Sequence, residues 1–371
     1  MIRTSWGRGT LLVAVAAAAV SLVGLPGCSS GGAVEVGATS GGQASAPVGQ
    51  ARTLRLGFFP NITHAPALVG LQEGLFRSSL RELGVTVTPT AFNAGPDAVS
   101  ALFGGSLDIA YIGPNPTINA YAQSRGEAVR VIAGAASGGA ALVVRPGIDS
   151  ASDLKGRRIA TPQLGNTQDV ALRHWLAGQG LASDTEGGGD VSILPQANAE
   201  GLAAYSTGQL DGAWVPEPWV SEYRRAGARV LVDEATLWPE GKFVTTDVVV
   251  RSRFLAEHPD VVEAFLAGHV AALAAIEEDP QAAARSANVS LKSLTGSSLA
   301  PDVLARAFSG IEFTADPLPE TLQQSADHAA EVGLLELSQV RTAGGLPGAL
   351  FDLTLLNKAL AGAGRPQVAA P

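Results

Sequence analysis

The chain repeats itself once, at long range. Gly105-Ser-Leu-Asp-Ile-Ala-Tyr-Ile-Gly-Pro-Asn-Pro is echoed by Gly208-Gln-Leu-Asp-Gly-Ala-Trp-Val-Pro-Glu-Pro-Trp, with Gly, Leu, Asp and Ala in the same places and an offset of 103 residues throughout. Solenoid repeats run about 20 to 50 residues, so this spacing indicates one structural unit used once in each of two lobes. A chain of 371 residues is long enough for both. Short apolar runs alternate with helical stretches around the echo. Residues 54–59, 85–88, 107–112 and 128–133 read as strands of one lobe, and 141–145, 157–160, 191–194, 210–215 and 229–232 as strands of the other. That alternation predicts α/β sheets, mainly parallel.

Helix signals fall between the strands. Pro66 suits a first helical turn, Gly74 suits a left-handed C-cap, and 96–103 and 167–177 read as helices. Residues 243–251 look like a return to the first lobe. This gives 52–139 with 246–371 as lobe I and 140–245 as lobe II. From residue 258 the pattern is helical. Asp260 and Glu263 have capping-box spacing, and Val261, Val262, Phe265, Leu266, Leu273 and Ile276 form one apolar face with His269 beside it as a core residue.

Ligands of open α/β sheets bind beyond the carboxyl ends of the strands, and both copies of the echo end there. Ile112 runs into Gly113, Pro114 and Asn115, and Val215 runs into Pro216, Glu217, Pro218 and Trp219. Two facing lobes would set both loops along one cleft. The candidate ligand-binding residues are Gly113, Pro114, Asn115, Trp214, Glu217 and Trp219, joined by Asn61 and His64 in the turn after the first strand. Ser137 and Gly138 at the crossing between lobes complete the set with Gly165, Asn166 and Thr167 at a helix start. Backbone N–H groups at helix N-termini bind oxyanions without a countercharge, and tryptophans offer apolar cover to an organic tail. Other readings of these residues stay open. Asn61 can serve its own turn, Ser137-Gly138-Gly139 can be a hinge, and Glu217 can pair with a ligand amine or stabilise the next helix.

The N-terminus carries a targeting signal. Arg3 and Arg8 precede an apolar stretch over 11–23, so residues 1–27 read as a signal peptide. Leu25-Pro26-Gly27-Cys28 resembles a bacterial lipobox, with Pro26 departing from the small residues usual there; Cys28 is the expected lipidation site and membrane anchor. It is the only cysteine, which excludes an internal disulfide. Residues 28–51, rich in Gly, Ser and Ala, read as a flexible tether. The net charge of −9 and the lack of any Lys/Arg cluster argue against nucleic acid and anionic lipid as partners.

Several of these segments together resemble the bacterial periplasmic-type solute-binding proteins of the nitrate/sulfonate/taurine group. Leu54-Arg-Leu-Gly-Phe looks like their first strand, and Gly74-Leu-Phe like the element closing their first helix. Leu107-Asp-Ile-Ala-Tyr-Ile-Gly looks like their third strand, Ser152-Asp-Leu-Lys-Gly-Arg-Arg-Ile-Ala like the opening of their second lobe, and Asp211-Gly-Ala-Trp-Val-Pro-Glu-Pro-Trp like their Glu-Pro-aromatic element. The resemblance implies a periplasmic-binding-protein-like type II fold, a monomer of two α/β lobes that closes on a small ligand and delivers it to an ABC-type permease with a cytoplasmic ATPase. A small organic sulfonate of the alkanesulfonate or taurine type leads; nitrate, bicarbonate and a pyrimidine are the alternatives.

Enzyme readings find little support. The five histidines form no His-x₃-His pair, and the chain has no H-E-x-x-H or P-loop motif; the one G-x-S-x-G match, Gly27-Cys-Ser-Ser-Gly31, lies at the junction of signal and tether and makes no strand-to-helix nucleophile elbow. No catalytic residue, metal or cofactor is expected. The enzyme alternative is a pyrimidine-synthesising protein of the same architecture, an intracellular role that the signal and tether oppose. A surface adhesin would have no use for an aromatic-lined inner cleft.

Overall fold

The structure, a computed structural model, describes residues 51–336, 338, 346, 348–369 and 371. The signal segment, Cys28 and the tether up to residue 50 lie outside the described residues. The strands, in chain order, are β1 (Thr53–Phe58), β2 (Thr86–Ala91), β3 (Ile109–Ile112), β4 (Val129–Gly138), β5 (Ala140–Val144), β6 (Arg158–Thr161), β7 (Ser192–Pro195), β8 (Gly212–Pro216), β9 (Arg229–Asp233), β10 (Val244–Arg251) and β11 (Ile311–Glu312). They form a six-stranded sheet of order β11-β4-β10-β3-β1-β2 and a five-stranded sheet of order β7-β6-β8-β5-β9. The sheets are more mixed than expected. The β1·β2, β1·β3, β6·β7 and β6·β8 pairs are parallel, but β10 runs antiparallel to β3 and β4, and β5 to β8 and β9. The two-residue β11 also runs antiparallel to β4, and the longer antiparallel strands are those beside the crossings: β4 passes directly into β5 through Gly138 and Gly139, and β10 brings the chain back. Both glycines have positive φ, 81° and 74°, which residues with a Cβ rarely adopt.

The echo proves to be a duplicated clamp. In the first sheet the N–H of Arg55 on β1 donates to Asp108 Oδ2 (3.0 Å), and its side chain donates to Asp108 and to the carbonyl of Gly105. In the second sheet the N–H of Arg158 on β6 donates to Asp211 Oδ2 (2.9 Å), and its side chain to the carbonyl of Gly208. Gly105 and Gly208 both have positive φ. Arg55 and Arg158 share the echo's offset, so the repeated unit is an arginine strand locked in register to a Gly-x-Leu-Asp strand. The clamp lies at the strands' amino ends. The carboxyl ends, where the loops differ, are left for the ligand.

Helices cover both sheets: α1 (Ala65–Gln72), α2 (Leu75–Leu80), α3 (Gly95–Phe103), α4 (Pro114–Gln123), α5 (Thr167–Gly178), α6 (Asn198–Ser206), α7 (Trp219–Arg225), α8 (Ser252–Glu257), α9 (Pro259–Glu278), α10 (Pro280–Thr295), α11 (Pro301–Ser309), α12 (Pro319–Glu331) and α13 (Thr354–Gly362). Helix α9 buries Val261, Val262, Phe265, Leu266, Val270, Leu273 and Ile276, the spacing of one helical face. The capping box expected of Asp260 and Glu263 is not formed. Pro259 takes the first helical position behind His258, so Asp260 already lies inside the helix, and Glu263 pairs with Lys358 (2.7 Å). His269 is a core residue: Tyr111 Oη–H donates to its Nδ1 (2.7 Å) and its Nε2–H donates to the Gly134 carbonyl (2.9 Å). That chain of donors needs a neutral ring, and burial pushes the His269 pKa down to about 4.

Candidate ligand-binding site

The lobes meet across the carboxyl ends of their strands. The N–H of Ile62 donates to the Glu217 carbonyl (3.1 Å), Trp219 Nε1–H to Asn61 Oδ1 (2.8 Å), and Gln163 Nε2–H to Asp97 Oδ1 (3.3 Å); His174 stacks on His328 at 3.7 Å. The contact is tightest at Gly113. A Cβ added there would fall well inside 3.0 Å of Thr167 Oγ1 on the opposite lobe. These contacts enclose a cavity of about 30 Å³.

The helix starts define its character. Residues at the N-termini of five helices line it: His64 before α1, Ala94 and Gly95 at α3, Gly113 at α4, Asn166 and Thr167 at α5, and Asn198 at α6. Local sequence builds each start. Pro stands in the first turn of α1, α3 and α4, where its missing N–H is no loss. Asn166 caps α5 by accepting from the Asp169 N–H (3.0 Å), which leaves the N–H groups of Thr167 and Gln168 without an intrahelical acceptor. Each N-terminus carries roughly half a positive charge.

Among the described residues no side chain lining the cavity is charged. Asn, Gln and Thr supply the polar groups, with Phe59 and Pro116, Pro162 and Pro216 between them. His64 is held neutral, since burial pushes its pKa down to about 3. Its Nδ1 accepts from the Phe59 N–H (3.3 Å), so the ring proton sits on Nε2. The Asn198 amide oxygen is buried without a hydrogen-bond partner. Such a cavity can hold a small anion by hydrogen bonds and dipoles alone.

Of the candidates read from the sequence, Asn61, His64, Gly113, Asn166 and Thr167 line the cavity. The others lie off it. Trp214 is fully buried in the lobe II core, its Nε1–H donating to Glu234 Oε2 (2.6 Å), because strand alternation sends it to the α5 face of β8 while Ala213 and Val215 face α6 and α7. Glu217 accepts from the N–H (3.0 Å) and hydroxyl (2.9 Å) of Ser221 within α7, and burial pushes its pKa up to about 7 against those bonds. With Ser137 and Gly138 it lines a separate groove of about 510 Å³ at the crossing. Asn115 spends its amide on the Ser325 carbonyl (3.0 Å), Pro114 packs in the first turn of α4, and the Gly165 N–H donates to Asp169 Oδ2 (3.0 Å). Trp219 borders the cavity only through Asn61. The sequence reading missed Asn93, Gly95, Gln168, Asn198 and Thr245. Gly95-Pro96 is a recognisable helix start, whereas Thr245 arrives on β10 from far along the chain.

Comparison with known proteins gives the geometry a family. Residues 49–291 match the model of the NMT1-like family. A taurine-binding periplasmic protein of Escherichia coli (strain K12) is 34% identical over 204 residues, 54% of this chain and 59% of that protein. A putative aliphatic sulfonates-binding protein of Bacillus subtilis (strain 168) is 26% identical over 58% of this chain and 63% of its own length. The chain thus spans about three fifths of each of these two relatives. Among solved structures, the alkanesulfonate-binding protein SsuA from Xanthomonas axonopodis pv. citri bound to MOPS aligns with a TM-score of 0.64 at 22% identity, over 78% of this chain and 96% of that one. The periplasmic nitrate-binding protein NrtA from Synechocystis PCC 6803 aligns with a TM-score of 0.68 at 15% identity, over 84% and 89%. These two establish a shared two-lobed solute-binding fold. By its matched sequence, the chain belongs to the NMT1-like family.

Proposed function

We propose that the protein is the extracytoplasmic solute-binding component of an ABC importer and captures a small organic sulfonate of the alkanesulfonate type. The observation that carries this reading is the uncharged cavity at five helix N-termini. A sulfonate is a strong acid that stays monoanionic, so hydrogen bonds and helix ends satisfy it without a buried cation. The cavity has no carboxylate to meet an ammonium group, and Glu217 is occupied by Ser221. That favours a plain alkanesulfonate over taurine within the class. Residues 140–245 would close as one lobe onto 52–139 and 246–371, turning about Gly138-Gly139 and the return into β10. Lipidation at Cys28 and the 28–51 tether would keep the carrier beside its permease.

A second reading, nitrate, is favoured by the small volume of the closed cavity. Titration calorimetry with methanesulfonate, taurine, nitrate and bicarbonate separates them. Methanesulfonate binding well above the others is expected. Nitrate alone binding selects the second reading, and tight taurine binding with weak methanesulfonate binding refutes the argument from the missing carboxylate.

A further inference from the structure

A cavity of about 30 Å³ has room for an anionic head and little else, while ligand pockets typically enclose some hundreds of Å³. The missing space lies next door. A second cavity of about 420 Å³ continues the space between the lobes, walled by Leu202 of α6 and Pro218 and Trp219 at the start of α7 on one side, and by Leu291 of α10 and Leu299 beyond it on the other. The two cavities share three lining residues, Asn61, Asn93 and Asn198. These asparagines form a neck. Trp219 Nε1–H occupies Asn61 Oδ1, which leaves the Nδ2 end of that amide as the donor. The buried Asn198 amide oxygen has no partner. Beyond the neck the wall is largely apolar, and its one charged side chain, Glu222, accepts from Arg225 Nε (3.2 Å).

We infer that this outer cavity receives the organic tail of the ligand whose sulfonate is held at the helix N-termini, so that the cognate solute is a sulfonate with an apolar tail of several carbons. The inference rests on the anion-site reading above. The asparagine amides of the neck can turn an N–H toward the sulfonate oxygens. The tail passes between them to Leu202, Trp219, Leu291 and Leu299, where it leaves water. Trp219 thereby acts on the ligand's tail in the outer compartment, while Trp214 serves only the lobe II core. Nitrate, with no tail, would leave the compartment unused.

The test is calorimetry with methanesulfonate and hexanesulfonate on the full chain, on Leu202→Trp and on Leu299→Trp. Both leucines are half-buried, so each substitution fills the compartment from one wall without breaking a core. Each methylene moved from water into an apolar site raises affinity roughly fourfold. Hexanesulfonate is therefore expected to bind the unaltered protein at least about tenfold more tightly than methanesulfonate. Each tryptophan should remove most of that advantage and leave methanesulfonate affinity as it was, which also reports an intact fold. Equal affinity for the two sulfonates, or an advantage that survives both substitutions, overturns the tail compartment while the anion site stands. Binding of neither sulfonate overturns the sulfonate reading and the inference together.

Discussion

Gly113→Ala tests whether the observed closure is the ligand-holding state. The backbone accepts alanine there, with φ −73° and ψ 163°. The only obstacle is across the cleft, where the new methyl would fall inside 3.0 Å of Thr167 Oγ1 against an ordinary contact of 3.4–4 Å. Either the lobes stand off or Thr167 leaves its rotamer. Overpacking of this kind costs about 1–3 kcal/mol, which is roughly 5- to 150-fold in Kd. The open form carries no clash, so the melting temperature of the free protein should barely move. Titration calorimetry is run on Gly113→Ala, Thr167→Ala and the double variant with whichever anion of the panel binds best. Thr167→Ala removes the clashing oxygen, so adding Gly113→Ala to it should cost less than about 0.5 kcal/mol, a coupling that a double-mutant cycle reads directly. Full affinity in Gly113→Ala, or the same loss in both backgrounds, would refute the reasoning.

Three more outcomes follow from the described contacts. Burial pushes the Asp108 carboxyl up, but hydrogen bonds from Arg55 and Arg251 outweigh it and hold the pKa below the usual range. Asp108→Asn should thus cost about 2–3 kcal/mol in thermal unfolding; because the folded pKa is depressed, the wild-type advantage should hold above the unfolded value and fade as pH falls through the folded one, and an advantage that persists unchanged in acid would refute it. Glu234 is the opposite case: burial pushes its pKa up to about 7 against hydrogen bonds from Trp214 and Trp238, so wild-type stability is lost as pH rises through that value, and Glu234→Gln should gain up to about 3 kcal/mol at pH 8 relative to pH 5. A pH-independent difference between the melting curves of the two proteins would remove that account. Cys28→Ser should shift the protein from washed membranes to the soluble fraction; retention on the membrane would exclude Cys28 as the anchor.

Much of the architecture was legible because it is written in local patterns. Gly74, with φ 70°, and the helix start at Asn166-Thr167 were read from their neighbours, and the echo announced two related lobes. The site was legible only where a helix start carries a signature. Trp214 shows why the rest was not. Every residue of β8 is buried, so composition gives no sign of which face meets the core and which the cleft. The same holds for Glu217, where a carboxylate four residues before a serine in a short helix reads equally as a ligand group. The meaning of the echo itself was partly hidden. Its recurring members lock Asp108 to Arg55 and Asp211 to Arg158, at the opposite strand ends from the residues that line the cavity. Parallel sheets were over-read because the two strands beside the crossings, β5 and β10, look like any other apolar run.

The uncharged lining of the cleft also bears on release. A carrier that grips an anion with a buried arginine must separate opposite charges to let it go, and it then exposes an unpaired cation. Here the anion cavity offers peptide dipoles, amides, hydroxyls and a neutral histidine, which water re-solvates on opening. Leaving the cavity therefore breaks hydrogen bonds to the anion and no ion pair with it, while His174 Nδ1 and Glu331 Oε2 (3.0 Å) bridge the lobes elsewhere. Among the described residues no side chain lining the anion cavity titrates near neutrality, so the proposed anion would add its full charge there without a proton taken up by that lining. A native gel can tell loaded and empty molecules apart by that difference.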